Sequence, residues 1–295
     1  MKINKSFLIS FIVGIAFVSI GTLLCITAYT NMGLAFFFFL PLAVGISSGT
    51  LPDTKSAIWG TVIGLLLFLF FLIITRIEGI VCILMASPIV FLAVFIGWLI
   101  GKAIKRFRKK RAASFRMSIA PILVYMAASF FEVFSGNYMV PASVSTTVVL
   151  QANKEQVYQS IIQVDTVDVA TSFLQKVGLP TPRKCVLTKN QVGGLRLCHF
   201  EEGIIIEEII EMKENEYLRM KVTECKLGHE RSWLTFDEDI YRIKELTDST
   251  TAITRTTTYA SNLRPRKYWE MMEALTIKAE QDFVFRNLKK DISLL

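Results

Sequence analysis

The chain starts with long apolar segments and changes near residue 142 to short segments in which apolar and polar residues alternate. Four segments, at about 7–30, 33–51, 57–75 and 79–100, contain no charged residue. A helix rises about 1.5 Å per residue and a hydrocarbon core is about 30 Å thick, so each segment is long enough to cross it. A fifth segment, 117–134, is interrupted by Pro121 and by Glu132, which we expect to be a solvated interfacial carboxylate. This half therefore predicts an α-helical membrane bundle of four to five spans.

In the second half the hydrophobic period is two, which is typical of strands with one buried face. Residues 143–151 form the first such segment, and Asn153 is placed to cap a helix over 154–164. A second short helix is predicted over 167–176. Six further strands are separated by turn residues, and in the fifth of them Leu234, Phe236 and Ile240 share one face. These strands are predicted at 183–189, 195–200, 204–212, 217–225, 233–246 and 251–259.

The chain ends with a predicted helix from Pro265 to about Asp291. Its apolar residues recur at three- and four-residue steps and form one stripe. The members of this stripe are Tyr268, Met272, Leu275, Ala279, Phe283 and Leu288. Strands joined by sequential hairpins make a curved antiparallel sheet, and the helix must lay its stripe on the concave face. The predicted fold is thus α+β, with a cavity under the helix that is suited to apolar molecules.

Composition and charge separate the same two halves, which we predict to be domains at 1–142 and 143–295. The 295 residues are 52% hydrophobic, with a formal net charge of +8. Residues 1–142 carry twelve basic and three acidic residues, and residues 143–295 carry 21 basic and 22 acidic residues. A nucleic-acid surface would require basic residues on the folded polar half, so nucleic acid is not an expected partner.

The segment Lys102–Arg116 contains eight basic residues in fifteen positions. Positively charged loops of membrane proteins stay in the cytoplasm. Lys2 and Lys5 place the N-terminus there, and four crossings return the chain to the same side at 102–116. We therefore predict a multi-pass protein of the cell membrane. The C-terminal domain lies outside the cytoplasm if the fifth segment crosses, and inside if that segment is re-entrant or interfacial.

One hairpin carries the sharpest polar pattern. The turn Glu201-Glu202-Gly203, with Gly203 in a positive-φ bulge position, gives a register in which Arg196 faces Glu208. A slip of one residue would place Arg196 opposite Glu207 instead. Either register predicts a cross-strand ion pair, which either orients a polar group of a ligand or fixes the strand register.

Few other residues suggest chemistry. The five cysteines form no CxxC pair and no cluster at metal-ligand spacing, so we expect free thiols and no metal. His199 and His229 are expected to have structural or surface roles. The acidic residues Asp237-Glu-Asp239 are expected to be solvated. No catalytic residue and no cofactor is predicted.

Five short motifs in the second half, taken in order, resemble the START-like (SRPBCC) superfamily, and most closely its polyketide cyclase/dehydrase and lipid-transport branch. The similarity covers about residues 143–291. The motifs are Asn153-Lys-Glu-Gln-Val-Tyr158, Gly194-Leu-Arg196, Gly203-x-x-x-Glu207-x-Ile209, Thr257-Thr-Tyr259 and Leu263-Arg-Pro265-x-x-Tyr268-Trp269. The resemblance implies a helix-grip domain that binds a ligand, without implying a particular reaction.

The resulting hypothesis is a membrane-tethered domain that binds a lipid or another hydrophobic small molecule under its C-terminal helix. The candidate cavity residues are Arg196, Glu207, Glu208, Tyr259, Trp269 and Met272. Membrane lipids and a hydrophobic ligand are the expected partners. Two alternatives stay open: a cyclase/dehydrase-type enzyme acting on a hydrophobic substrate, and a signalling or assembly module that binds no ligand.

Overall fold

The computed structural model describes residues 4–26, 33–75, 77–107, 116–134, 136, 138–162, 164, 167–201, 203–227 and 233–293. Most of the basic loop (108–115) and His229 lie outside these residues. The chain divides into two compact units. The first is Met1–Tyr138 with Asn262–Arg266, and the second is Met139–Ser261 with Lys267–Leu295.

The first unit is helical. Among the residues that the structure describes, three helices are long and apolar enough to cross a membrane, within α1 (Lys5–Ile26), α3 (Thr54–Ile74) and α4 (Ile80–Phe107). The remaining helices are α2 (Leu40–Thr50), which a π-helical segment Ala35–Phe39 precedes, and α5 (Arg116–Phe134). Their apolar stretches, Ala35–Thr50 and Tyr125–Phe134, are shorter. Four to five spans therefore stay a prediction.

Glycines set the contact between α2 and α4. Gly45 and Gly49 of α2 face Gly97 and Gly101 of α4, and each helix thus presents a Gly-xxx-Gly pair. A Cβ atom added at Gly97 would lie 2.2 Å from the carbonyl oxygen of Leu42, and one added at Gly45 would lie 2.2 Å from that of Val94. Only glycine permits this backbone approach, which is a common way for membrane helices to associate.

Glu132 of α5 is half-buried, whereas the sequence suggested a solvated carboxylate. Its Oε1 accepts a hydrogen bond from the backbone N–H of Leu34 at 2.6 Å, and its Oε2 accepts one from Ala35 at 3.1 Å. The carboxyl thus supplies acceptors to backbone donors that have no partner within a helix at its first turn.

The second unit is one seven-stranded antiparallel sheet in the order β1-β7-β6-β5-β4-β3-β2. The strand bounds are β1 Val140–Leu150, β2 Pro182–Leu187, β3 Leu195–Phe200, β4 Gly203–Lys213, β5 Tyr217–Leu227, β6 Leu234–Thr247 and β7 Thr250–Ser261. Two short helices, α6 (Lys154–Ile162) and α7 (Phe173–Lys176), follow β1, and α8 (Arg266–Ser293) ends the unit. This is the helix-grip arrangement that the strand pattern predicted.

Local signals account for several element boundaries. The backbone N–H of Gln156 donates to Oδ1 of Asn153 at 2.8 Å, which confirms the predicted cap of α6. The second short helix is shorter than predicted and begins only after Ser172. Gly193 has a φ of +84° in the predicted turn, whereas Gly203 is not among the positive-φ residues. Gly203 is instead required by space, since a Cβ there would lie 1.6 Å from the carbonyl oxygen of Lys226.

β-bulges curve the sheet and change which residues face inward. In β6 the register shifts between Phe236 and Glu238. Because of this extra residue, Asp239 and Tyr241 are buried and Ile240 is not, so the prediction that Ile240 shares the inner face was wrong. A second register shift in β4, between Ile206 and Glu207, likewise sets the inward face of that strand.

Helix α8 packs on the inner face of the sheet through a stripe that matches the predicted one only in part, at Phe283 and Leu288. Leu275, a member of the predicted stripe, is 56% exposed. The buried positions recur mainly at four-residue steps and include three polar residues. They are Trp269, Glu273, Ile277, Gln281, Phe283, Phe285, Asn287 and Leu288. The apolar core below contains side chains of α6, β1, β4, β5, β6 and β7 together with the C-terminal part of α8.

Candidate functional site

A cluster of charged side chains lies between the inner face of the sheet and α8. It contains two guanidinium groups and three carboxyl groups. Its members are Arg196 of β3, Glu207 of β4, Asp239 of β6, Arg255 of β7 and Glu280 of α8. The side chains are between 4% and 17% exposed. Since an isolated buried charge is costly, the ion pairs within the cluster are what make its burial possible.

The predicted Arg/Glu pair is present at one end of this cluster. Arg196 pairs with Glu207 in the strand register, and its Nη1 lies 3.3 Å from Oε2 of Glu207. The register that placed Arg196 opposite Glu208 was therefore wrong by one residue. Glu208 pairs instead with Leu195, and side chains alternate across a strand, so its carboxyl belongs to the other face of β4.

Arg255 is the centre of the cluster. Its Nη2 donates to Oδ2 of Asp239 at 2.6 Å, and its Nη1 donates to Oε2 of Glu280 at 3.0 Å. Asp239 also accepts a hydrogen bond from the hydroxyl of Thr257 at 2.5 Å. The ring of Tyr241 lies between the two guanidiniums, with Cζ of Arg255 at 5.6 Å and Cζ of Arg196 at 5.8 Å from its centroid. Arg255 therefore joins three elements, β6, β7 and α8, at one point.

Three carboxyl groups and two guanidinium groups leave one excess negative charge when all are ionised. Burial, together with the nearby carboxylate of Asp239, raises the pKa of Glu207 to about 7, against the attraction of Arg196. The pKa of Asp239 is lowered, because Arg255 and the hydroxyl of Thr257 stabilise its anion against the cost of burial. Burial also raises the pKa of Glu280, against the attraction of Arg255. Glu207, with a pKa of about 7, is partly protonated near neutral pH and can act as an acid or a base there.

A small cavity opens beside Arg196. Its volume is about 10 Å³, which is space for about one water molecule. Its walls are mainly apolar side chains of α6 and α8, with Tyr241 and Arg196 on the sheet side. The lining residues are Ser160, Ile161, Val164, Arg196, Tyr241, Val284, Phe285, Asn287, Leu288 and Asp291. As described, the cavity is too small for a lipid or another organic ligand, so such a ligand would have to separate the surrounding side chains.

Arg196 has one polar atom without a partner among the described residues, Nε, although the side chain is only 4% exposed. A buried donor without an acceptor costs about 1–3 kcal/mol. Arg196 thus lines the cavity and carries one buried N–H group that no described residue accepts.

The remaining predicted site residues are not part of this cavity lining. Tyr259 is buried with Val144 and Ile277 in an apolar cluster closer to the N-terminal end of α8. Trp269 is buried in the first turn of α8, with its ring edge-on to Tyr268, and Met272 is half-buried. Packing explains Tyr259 and Trp269 without a ligand, so the structure brings together only Arg196 and Glu207 from the predicted set.

Several residues of the cluster were missed at the sequence level. Asp239 was expected to be solvated, because alternation with Phe236 and Ile240 places it on the outer face of β6. The bulge that turns Asp239 inward is not visible in the sequence. Arg255 lies in a strand rich in threonine, and Glu280 lies on a helix with many charged residues, so neither is distinctive in sequence. A possible signal was that Thr257 and Tyr259, both in the START-like motif, share with Arg255 one face of β7.

The expectation of free thiols was wrong for two cysteines. Cys185 of β2 and Cys198 of β3 are opposite each other in the strand register and form a disulfide. The pair is thirteen residues apart, and only the hairpin brings the two sulfurs together. Cys82 and Cys225 do not form disulfides in the described part of the chain. His199 belongs to the face of β3 opposite Arg196 and Cys198, in keeping with its expected structural or surface role.

The second unit is similar to several solved structures. A START superfamily protein from Mycobacterium smegmatis is 15% identical, with a TM-score of 0.37 over 52% of this chain and 97% of that one. The Zhui aromatase/cyclase from Streptomyces is 10% identical, with a TM-score of 0.37 over 52% of this chain and 94% of that one. Truncated norcoclaurine synthase from Thalictrum flavum is 13% identical, with a TM-score of 0.34 over 50% of this chain and 92% of that one. No family model matches the sequence, and no curated protein is significantly similar to it. The helix-grip fold rests on the strand order and on α8 of this chain, since TM-scores below 0.5 do not decide it.

Proposed function

We propose that this protein is a membrane-tethered helix-grip domain that binds a hydrophobic small molecule, a lipid among the candidates, between α6, α8 and the sheet. One observation carries the proposal: the buried N–H at Nε of Arg196 has no acceptor among the described residues, and Arg196 lines a cavity that is otherwise mainly apolar. Burial of apolar surface would supply the binding free energy, at about 25 cal/mol per Å² before the costs of binding.

Binding requires the cavity to enlarge, since about 10 Å³ does not admit an organic ligand. The C-terminal turns of α8 form one wall and are held partly by polar contacts at the protein surface. Asn287 accepts a hydrogen bond from the backbone N–H of Asp168 at 3.1 Å, and Lys290 pairs with the carboxylate of Asp168 at 2.6 Å. Exposed ion pairs contribute little stability, so the pair of Lys290 with Asp168 would oppose enlargement of the cavity only weakly.

The binding proposal is tested with the full-length protein, purified in detergent and extracted for mass spectrometry. We expect a hydrophobic molecule to co-purify with the wild type. Ser160 lines the cavity and is half-buried on α6, so Ser160→Phe places a ring at the opening and should reduce the recovered molecule at least about tenfold. The matched control is Gln159→Phe, on the exposed side of the same helix. Equal recovery from both variants, or no ligand from the wild type, would contradict the proposal.

A second part of the proposal concerns sidedness. Disulfides persist in oxidising compartments and are rare in the cytosol. The buried bond between Cys185 and Cys198 therefore supports an extracytoplasmic C-terminal domain, and hence a fifth segment that crosses the membrane. The excess of basic residues in 102–116 supports a cytoplasmic position for the loop before that segment.

Sidedness is tested in intact cells with a membrane-impermeant maleimide, on a background that keeps Cys185 and Cys198 but lacks the other cysteines. We expect Asn137→Cys to be labelled from outside and Lys109→Cys only after the cells are opened. We also expect Cys185 and Cys198 to react only after unfolding and reduction. Labelling of both introduced cysteines from the same side would rule out the five-span arrangement.

An enzyme of the cyclase/dehydrase type is the second candidate. The observation that favours it is a carboxyl, Glu207, with a pKa near 7 and next to the guanidinium of Arg196, which is the combination that polarises a carbonyl and transfers a proton. If the molecule that co-purifies is converted by the wild type and left unchanged by Glu207→Gln, the domain is an enzyme. Equal conversion by both proteins would exclude Glu207 as the acid or base.

A further inference from the structure

We infer that the ligand of this domain is an uncharged molecule with a hydrogen-bond acceptor, such as a carbonyl oxygen, which accepts from Nε of Arg196, and that carboxylate ligands are rejected. The inference rests on the proposed function and specifies the substrate class of the same site. It follows from the balance of charge around the cavity and from the geometry of one guanidinium.

The charged groups around the cavity disfavour a carboxylate ligand. All three carboxyl groups of the cluster and both guanidiniums are buried or nearly so, which leaves the cluster at −1 or, with one proton bound, at zero. The carboxyl of Asp291 adds a further negative charge to the cavity lining, and it accepts a hydrogen bond from Nδ2 of Asn287 at 2.8 Å. A carboxylate ligand would add another buried charge, and among the described residues that line the cavity the one cationic side chain, Arg196, is already paired with Glu207. In a region of low dielectric constant such a charge is strongly disfavoured.

The guanidinium of Arg196 supplies the hydrogen-bond donor. Nη1 of Arg196 faces Glu207, and the guanidinium lies against the ring of Tyr241, so both of these partners hold the group in place. The N–H at Nε, which has no acceptor among the described residues, is then fixed in direction. A ligand that supplies an acceptor removes the cost of this unpaired donor, whereas a hydrocarbon leaves it.

The apolar residues of the cavity lining restrict the rest of the ligand. Beside the polar residues of the cavity, the lining contains five apolar side chains, Ile161, Val164, Val284, Phe285 and Leu288. Binding of a polar molecule would leave its other polar groups without partners against these side chains. The chemical class is therefore a largely apolar molecule with a neutral acceptor, such as an ester, a ketone or an aldehyde.

The test uses three probes of equal chain length, methyl decanoate, decanoate at pH 8 and decane, each radiolabelled. Retention is measured on the full-length protein in lipid nanodiscs, with empty nanodiscs to correct for partition into lipid. We expect the ester to bind at least about tenfold more tightly than either the acid or the alkane, since one hydrogen bond corresponds to about a factor of ten.

Arg196→Lys supplies the variant, because it keeps the cation beside Glu207 and removes the Nε donor. We expect it to weaken binding of the ester about tenfold and to leave decane unchanged. Wild-type binding of decanoate that equals or exceeds that of the ester would overturn the inference while leaving the proposed binding function intact. Retention of none of the three probes above the empty nanodiscs would overturn both.

Discussion

Arg255 of β7 and Glu280 of α8 form an ion pair that joins the sheet to the C-terminal helix, with Nη1 3.0 Å from Oε2. Arg255 is 11% exposed, and it also binds Asp239. Because both of its partners are carboxylates, this one guanidinium balances one of the two negative charges at the centre of the cluster. The contact therefore couples the packing of α8 to the charge balance under it.

Removal of this guanidinium should be strongly destabilising. We expect Arg255→Met to lower the free energy of unfolding of the second unit by about 3–5 kcal/mol, since it leaves buried carboxylates without a cation. Lys278→Met is the control, because Lys278 and its partner Asp282 are largely exposed and such pairs contribute little. Urea unfolding can be followed by fluorescence of Trp269, with the three other tryptophans replaced by phenylalanine. If both variants lose the same free energy of unfolding, the cluster contributes no more to stability than an exposed ion pair does.

Stability should fall as pH rises through the titration of Glu207. The pKa is raised in the folded state, from an ordinary 4.5 to about 7, so the folded protein binds a proton that the unfolded chain releases. The stabilisation is complete below pH 4.5 and is lost as pH approaches 7, by linkage. Glu207→Gln should remove most of this dependence between pH 5 and 7 in the same urea assay, whereas Glu208→Gln should retain it. An unchanged pH profile in Glu207→Gln would assign the proton to another group.

The buried amide of Gln281 connects α8 to two strands. Its Nε2 donates to the hydroxyl of Thr257 at 2.9 Å, and its Oε1 accepts from the hydroxyl of Thr146 at 2.7 Å. Gln281→Leu leaves these hydroxyls with fewer partners and should cost about 1–3 kcal/mol of unfolding free energy, although leucine is more apolar. Gln159→Leu, on the exposed side of α6, should change stability by less than about 0.5 kcal/mol. A stabilised Gln281→Leu variant would show that apolar packing outweighs these hydrogen bonds.

The glycine contact between α2 and α4 should tolerate no side chain. We expect Gly97→Ala to lower the thermal midpoint of the helical unit in detergent, because the added Cβ would lie 2.2 Å from the carbonyl oxygen of Leu42. Gly14→Ala is the matched control, since the nearest atom to its added Cβ is a Val44 methyl group at 3.8 Å. Circular dichroism at the helical band measures both. Similar midpoints for the two variants would mean that the two helices separate at little cost.

Local sequence determined the elements that depend on neighbouring residues. The bounds of β3, the cap at Asn153 and the turn at Gly193 follow from alternation, side-chain acceptors and backbone freedom over a few positions. The sequence also predicted a cross-strand pair at Arg196, since both possible registers place a glutamate opposite it. Apolar composition alone likewise marks helices that are long enough to cross a membrane.

Tertiary structure decided which side chains meet. A one-residue register difference selected Glu207 over Glu208, and a bulge in β6 turned Asp239 inward, because side chains of a strand change face with every residue. Gln281 is buried on α8 only because hydroxyls on β1 and β7 accept and donate its hydrogen bonds. The disulfide between Cys185 and Cys198 likewise depends on the hairpin register. The sequence by itself thus determined the elements and their order, while the charged cluster was decided by long-range pairing, since the partners of a buried polar group are distant in the chain.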